Sequence, residues 1–520
     1  MNGSIIKGIK GIKRENYIQV FDVSKQDRQT YGEIYTPFSL IEQMFSLFNN
    51  DVYADKNNDV YADKNSKWLD TGAGSGFFSI YLYWKLMEGL AKAFENEDER
   101  HDHIIKNMIY MVEIKESNVT RLLNVFGKEA NIICADYTKD FIGIYALLAF
   151  DYIIGNPPYN SGGIKKVPSN ATMKKTDDGK TVWKSFVKKS LSLLKKNTGK
   201  LLYIIPSIWM KPTGNNKCVM YNLLTGYQLE KLHCLSNTET NKYFKGEAQT
   251  PTCFFLLTNK PTKDYCVDLY DYSNAEYVKY VTSNKPIPVF GASVVKKLLL
   301  FGNMSELVKK TNCPGKDSLF SPIQSDDYPF KNIKTCILEK SVGGALTTPT
   351  LVIEYSNKPQ AFYGKPKLVL AHKMYGFPFI DAKGEYGISS RDNYVICTDD
   401  YNSLRALQIY LSTKLALYLF ESTRYRMKYL EKYAFEFLPN ILNMKELVSK
   451  ILLKYTQTAD SGETATVING MDGINEMDGI NGMDGINEMN ELTMNYFNLN
   501  DREKESIRKL HKKRYESFST

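Results

Sequence analysis

The run Trp68-Leu69-Asp70-Thr71-Gly72-Ala73-Gly74-Ser75-Gly76 decides the fold. Two apolar residues and an acid lead into a glycine-rich turn, and a long amphipathic stretch from Phe77 to Phe94 follows at once. That pattern predicts a strand at Trp68-Leu69, a tight turn, and a helix over 77–94. Glycines in such a turn let backbone amides approach a ligand that side chains would keep away. A purely structural turn is the bland reading. Its position between strand and helix favours a nucleotide-type ligand.

Outward from this turn, strand-length apolar segments alternate with helical patterns from about 36 to 260. Strands are expected at 109–114, 131–134, 151–154, 201–205 and 253–257, and helices at 37–48, 117–126 and 182–195. Such alternation is the mark of an α/β chain with a mostly parallel, doubly wound, Rossmann-like sheet. Two of the strands end in acids. Glu113 closes Ile109-Tyr110-Met111-Val112-Glu113, where a carboxylate can accept both hydroxyls of a ribose. It stands 43 positions after Asp70, about twice the usual interval, and the polar stretch 95–103 accounts for the excess. Asp136, after Ile132-Ile133-Cys134-Ala135, is placed to receive an exocyclic amino group. A solvated strand end is the alternative for each acid singly.

A second motif lies in Phe150-Asp151-Tyr152-Ile153-Ile154-Gly155-Asn156-Pro157-Pro158-Tyr159. Two prolines stiffen the turn, and the residue before a proline is driven to extended geometry, so Asn156 and the Pro157 carbonyl point in fixed directions. An amine conjugated to an aromatic ring is a weak nucleophile with two N–H bonds. A carboxamide oxygen and a backbone carbonyl can accept both, steering the nitrogen towards tetrahedral geometry and stabilising the positive charge that grows as it attacks a methyl group. Tyr159 offers a face on which a planar base stacks. The alternative is a Pro-Pro turn that merely ends a strand.

Together these residues resemble the amino-group DNA methyltransferases that modify adenine N6. The Asp70, Gly72, Gly74 and Gly76 pattern is similar to that family's cofactor loop, and Asn156-Pro157-Pro158-Tyr159 to its catalytic tetrapeptide. Tyr35-Thr36-Pro37, before an apolar helix, resembles the segment that closes over the methionine part of S-adenosylmethionine. The family's turn often carries proline after the acid; Thr71 stands here. Tyr243-Phe244-Lys245-Gly246 resembles the segment that offers a second aromatic to an extruded base, with Phe244 as the contact. The segment from Arg424-Tyr425 to Phe437-Leu438-Pro439 is reminiscent of the close of a recognition domain. The order of motifs resembles the gamma arrangement, in which target recognition comes last. The resemblance is strong over 31–260 and diffuse beyond.

What the resemblance implies is a direct methyl transfer from S-adenosylmethionine to a flipped adenine in double-stranded DNA, in a restriction-modification setting, with a separate cognate endonuclease as a possible partner. It implies cofactor contacts from Thr36, Pro37, Asp70, Gly72, Gly74, Gly76, Glu113 and Asp136. The expected organisation is an arm at 1–30, a catalytic domain at 31–270, a β-rich α+β target-recognition domain at 271–445, and a helical tail at 446–520. Lys165, Lys166, Lys174, Lys175 and Lys180 are phosphate-contact candidates. Lys373, Arg391 and Asn393 are base-reading candidates, since Arg suits guanine and Asn suits adenine.

Composition sets the outer bounds. A chain of 520 residues has room for two to four domains, and 43% hydrophobic residues excludes overall disorder. The net charge of +9 permits a polyanionic partner without requiring one. No cysteines form a CxxC pair and no histidines fall at zinc-ligand spacing, so no metal is expected. Cysteines in apolar runs, as in Ile132-Ile133-Cys134 and Cys253-Phe254-Phe255, read as buried free thiols of a reducing compartment. No signal peptide or membrane-spanning run is expected, which suggests a soluble, cytoplasmic protein without a membrane partner. Two tracts repeat. DVYADKNN at 51–58 recurs as DVYADKNS at 59–66, and a six-residue MDGIN-type unit runs three times over 471–488. Both read as polar loop expansions; a calcium-binding repeat is disfavoured, since the EF-hand ligand spacing is missing.

Three other readings compete. The same fold can methylate RNA bases or a protein glutamine amide, although the long β-rich region fits DNA better. A combined restriction and modification enzyme is suggested by Glu113-Ile114-Lys115, but no upstream Pro-Asp accompanies it, and only about thirty residues precede the Thr-Pro helix. A catalytically dead DNA-binding protein would not need both intact motifs.

Overall fold

The glycine-rich turn rises from the middle of a nine-stranded sheet. The computed structural model describes residues 8–12, 35–48, 59–139, 148–160, 181–212, 219–244, 250–310, 314–340, 347–372, 378–425, 430–460 and 483–510. Outside them lie Lys165, Lys166, Lys174, Lys175, Lys180, Lys373, Lys245-Gly246, the repeat copy at 51–58, residues 471–482 and most of the arm. The chain divides into two compact units, Met1–Tyr270 with Lys279–Asn284, and Asp271–Val278 with Lys285–Thr520.

The nine-stranded sheet, which lies in the first unit but for Asp271 and residues 276–278, contains β1 (Trp68–Asp70), β2 (Ile109–Glu113), β3 (Asn131–Cys134), β4 (Tyr152–Gly155), β5 (Lys200–Pro206), β6 (Tyr227–Leu235), β7 (Thr252–Pro261), β8 (Cys266–Asp271) and β9 (Glu276–Val281). Their order is β3-β2-β1-β4-β5-β7-β6-β8-β9. The strands from β3 to β5 are parallel, as the alternation predicts. β7 then runs antiparallel to both β5 and β6. The sheet is therefore mixed, and β6 is a strand that the sequence pattern conceals. Glu230 and Lys231 interrupt its apolar run, yet Lys231 is buried with its Nζ donating to the Leu47 carbonyl, and Glu230 pairs with Lys200.

Helices accompany the sheet: α1 (Phe38–Phe45), α2 (Phe77–Gly89), α3 (Glu97–His103), α4 (Glu116–Phe126) and α5 (Trp183–Leu193), with α6 (Val219–Gly226) and α7 (Asn237–Phe244) against β6. α2 is buried almost all round rather than along one stripe, from Phe78 through Tyr83. It stops at Gly89, short of the expected Phe94, where a side chain would collide with the Tyr61 carbonyl only 2.6 Å away. Tyr61 belongs to the second copy of the eight-residue repeat, which is thus no mere loop expansion. Its ring is buried and stacks on Trp68 at 5.8 Å between centroids, and Trp68 in turn stacks on Tyr152 at 3.9 Å. Each such aromatic pair adds about 0.5–1.5 kcal/mol beyond the area it buries.

The second unit holds two small sheets. One has β10 (Phe320–Ser321), β11 (Phe330–Lys340), β12 (Thr347–Ser356) and β15 (Gly387–Ile388); the other has β13 (Lys367–Ala371), β14 (Pro378–Asp381) and β16 (Asn393–Cys397). Its helices are α8 (Ala292–Leu298), α9 (Tyr401–Ser412), α10 (Lys414–Ser422), α11 (Lys445–Asp460), α12 (Met483–Tyr496) and α13 (Asp501–Leu510). The β-rich character expected to about 440 ends at Cys397. α12 begins inside the six-residue repeats, so 483–488 are helical rather than loop, and Glu488 pairs with Lys454. Ile507 is buried, and Glu503 is buried with Lys297 as its partner. Cys234, Cys253 and Cys336 are buried as expected, whereas Cys134 is exposed, because β3 is an edge strand of its sheet. Among the described residues no helix is long and apolar enough to cross a membrane.

Candidate active site

Four strand ends and one incoming segment surround a cavity of about 720 Å³ in the first unit, within the range of ligand sites. The turn after β1 adopts the backbone its glycines permit, with Gly74 at φ +53° and Gly76 at φ +86°. A Cβ on Gly76 would lie 2.8 Å from Leu122 Cδ2, so that glycine serves helix packing. A Cβ on Gly72 would meet no atom within 4 Å, and Gly72 lines the cavity. Here the missing side chain leaves space for a ligand rather than for a neighbour.

The acids divide by environment. Asp70 lies behind the turn, fully buried, with Oδ2 accepting from Ser79 Oγ at 2.9 Å. Burial pushes its carboxyl up to about 7, against the lowering by the Ser79 and Gly72 hydrogen bonds, and the nearby Glu113 charge adds to the rise. Glu113, at the end of β2, accepts from the Gly74 amide at 2.8 Å and the Lys115 amide at 2.9 Å. It therefore braces the turn as well as lining the cavity. Asp136 is partly exposed; its burial opposes the charge, but hydrogen bonds from Thr138 and Lys139 outweigh it and hold the carboxyl below its ordinary range.

The tetrapeptide after β4 forms the facing wall. Asn156 Nδ2 donates to Thr36 Oγ1 at 3.1 Å, so the segment before α1 fixes the carboxamide. Pro157 is buried, and Pro158 and Tyr159 line the cavity beside Asn156. Tyr159 is half-buried as a residue, but burial of its hydroxyl raises that group's pKa. The hydroxyl oxygen itself is shielded from solvent, and the exposed part is ring. Gly155, at φ +144°, is held close to the cofactor turn: a Cβ there would lie 3.4 Å from Asp70 Oδ1 and 3.5 Å from Thr71 Oγ1. Tyr35 closes another side, its ring 5.4 Å from that of Phe77 and its hydroxyl accepting from Ser75 Oγ, which in turn accepts from Arg121.

Of the residues singled out in the sequence, Thr36, Gly72, Gly74, Glu113, Asp136 and the tetrapeptide line this one cavity. Pro37 instead caps α1, while Asp70 and Gly76 lie behind the turn. Phe244 is not at the cavity: its ring is buried in the hydrophobic core with Leu235 and Phe254. In the second unit Arg391 is exposed on the turn before β16. Asn393 is buried, its amide donating to the Lys334 and Ser390 carbonyls, so it ties strands together instead of facing a partner. Phe77 and Tyr137 also line the cavity and were not singled out. Tyr137 directly follows Asp136, which is the signal that could have found it.

Residues 24–240 match the family model described as Eco57I restriction-modification methylase. No curated protein matches the chain. Among solved structures, the Type IIL restriction-modification enzyme MmeI in complex with DNA is 12% identical, with 94% of this chain and 77% of that chain covered and a TM-score of 0.47. The M protein of the type I restriction enzyme EcoKI is 14% identical, with 50% of each chain covered and a TM-score of 0.32. The methyltransferase subunit of a type I restriction-modification system from Streptococcus thermophilus is 16% identical, with 47% and 49% covered and a TM-score of 0.31. The chain spans about half the length of these type I subunits. The assignment rests on the family match and the cavity. Residues 24–240 are similar to a methylase domain of the restriction-modification kind, for which S-adenosylmethionine is the implied methyl donor. The donor set fits that group: an open glycine turn at Gly72, strand-end carboxylates at Glu113 and Asp136, and aromatic walls at Tyr35 and Phe77.

Proposed function

We propose that this methylase domain transfers a methyl group to the N6 amine of adenine in duplex DNA, at sites selected by the second unit. The single observation that carries the reading is that Asn156-Pro157-Pro158-Tyr159 and the glycine turn form walls of one cavity, with Asn156 Nδ2 held by Thr36.

S-adenosylmethionine, when bound, supplies a methyl group activated on sulfur. The chain's own residues handle the acceptor. Asn156 Nδ2 donates to Thr36 Oγ1, which fixes the direction of the carboxamide, and its oxygen is the acceptor assigned to the incoming amine. With the Pro157 carbonyl as second acceptor, both N–H bonds are engaged, and the growing positive charge on nitrogen is stabilised. Tyr159 presents ring rather than hydroxyl, which suits stacking on any planar base and offsets part of the few kcal/mol lost when a nucleotide leaves the duplex. Target recognition is assigned to 271–445, where exposed Arg391 remains a base-reading candidate. A cognate endonuclease on a separate chain belongs to the same reading.

The test is methyl transfer from labelled S-adenosylmethionine to unmethylated duplex DNA, RNA or protein, followed by mapping of modified adenines. Label confined to adenine N6 at one short DNA motif is expected. Asn156→Ala should lower the rate by a factor of about 100 or more, in line with removing one such acceptor, while binding the cofactor within a few-fold of wild type. Label in protein or RNA alone would overturn the acceptor assignment.

A further inference from the structure

A chain of four buried hydroxyls lies behind the cavity and takes no part in the mechanism above. Thr71 Oγ1 is 2.6 Å from the Tyr203 hydroxyl, which is 2.7 Å from Ser190 Oγ, which is 3.0 Å from the Tyr137 hydroxyl. All four residues are buried. Thr71 opens the glycine turn after β1, Tyr137 follows Asp136 after β3, Ser190 sits on α5, and Tyr203 is central in β5.

We propose that Thr71, Tyr203, Ser190 and Tyr137 form a positioning relay that couples the two ends of the cofactor cavity, so that Tyr203 sets cofactor affinity through Thr71 without touching the cofactor. The inference rests on the cavity being the S-adenosylmethionine site.

Three observations carry it. Apolar side chains of like size would fill this volume at lower cost, because every buried hydroxyl must find a partner; a fully partnered network instead fixes the elements that it joins. The joined elements are those that matter. Thr71 and Tyr137 both line the cavity. Gly155, next to Asn156, packs on the same pair, since a Cβ there would lie 3.5 Å from Thr71 Oγ1 and 3.7 Å from Tyr203 Cε1. Finally, four hydroxyls carry four hydrogens and the three links use three. Each of the four hydroxyls is partnered within the chain, so moving one displaces its neighbours.

Full-length protein is titrated with S-adenosylhomocysteine by calorimetry. Tyr203→Phe and Thr71→Val should each weaken binding about 5- to 10-fold, the loss expected for one buried hydrogen bond. Thr71→Ser keeps the hydroxyl and should stay within about 2-fold of wild type on the same scale. The double variant Tyr203→Phe with Thr71→Val should bind no worse than the weaker single variant, because both cut the same link. KM for DNA should not move in any of them. If Tyr203→Phe does not fold, as judged by its thermal transition, Ser190→Ala gives the same reading from the next link. Unchanged affinity in a folded Tyr203→Phe, or fold-changes that multiply in the double variant, would overturn the relay. A wild-type protein that binds no S-adenosylhomocysteine would instead overturn the cofactor assignment beneath it.

Discussion

Two glycines four residues apart do different work, and one substitution at each separates them. Gly72→Ala adds a methyl group that meets no protein atom but projects into the cavity wall. Its thermal transition should match wild type while cofactor affinity falls at least tenfold. Gly76→Ala forces a left-handed backbone on alanine and drives the Cβ into Leu122. The backbone alone costs about 1–2 kcal/mol, a fall of roughly 2–8 °C in Tm. Equal effects on stability from the two would refute the division. Asp70 makes a pH prediction. Its carboxyl is pushed up to about 7 by burial, so between its ordinary value near 4 and that point the folded chain keeps a proton that the unfolded chain has released. The stabilising contribution is complete below about pH 4 and is lost as pH rises through 7. Asp70→Asn removes the titrating group, so its Tm should decline less than that of wild type from pH 4 to 8. Parallel slopes would mean that Asp70 titrates as an ordinary carboxyl. At this scale the tetrapeptide was legible as a rigid turn ending a strand, and it lines the cavity. The sequence does not show burial: Phe244 and Asn393 have the right chemistry for their expected roles, but core packing and strand carbonyls hold them.

Elements were legible where apolar runs are bounded by glycine or acids, which is why β1 to β5 and the helices between them can be read from spacing. β6 was hidden because its charged residues are satisfied by partners distant in sequence, Lys231 by Leu47 and Glu230 by Lys200. The short repeat was misread for a related reason. Its polar composition conceals one aromatic, Tyr61, that docks on Trp68 and against Phe48. Asp59 and Asp63 hold the copy by accepting from the amides of Tyr61 and Asn65. Tyr61→Ala should therefore destabilise the protein by about 3–5 kcal/mol in denaturant titration, the usual loss for a buried aromatic. A loss below about 1 kcal/mol, typical of a surface position, would return the segment to a passive loop.

For the whole molecule, the decisive matter is which functions each unit holds alone. Every residue that lines the cavity belongs to the first unit, as do the glycine turn, the tetrapeptide and the segment before α1. No cofactor contact has been assigned to the second unit, whose contribution is proposed to be the choice of DNA site. A fragment of residues 1–284 keeps the residues of the first unit, including Lys279–Asn284. It should bind S-adenosylhomocysteine within about threefold of the full chain, a difference under 1 kcal/mol. It should not methylate DNA at a defined motif, because phosphate contacts position a duplex but base contacts specify the site. The two readouts fail separately. Loss of cofactor binding in a folded fragment would show that the cavity needs the second unit. Motif-specific methylation by the fragment would place recognition within the catalytic unit and remove 271–445 from that role.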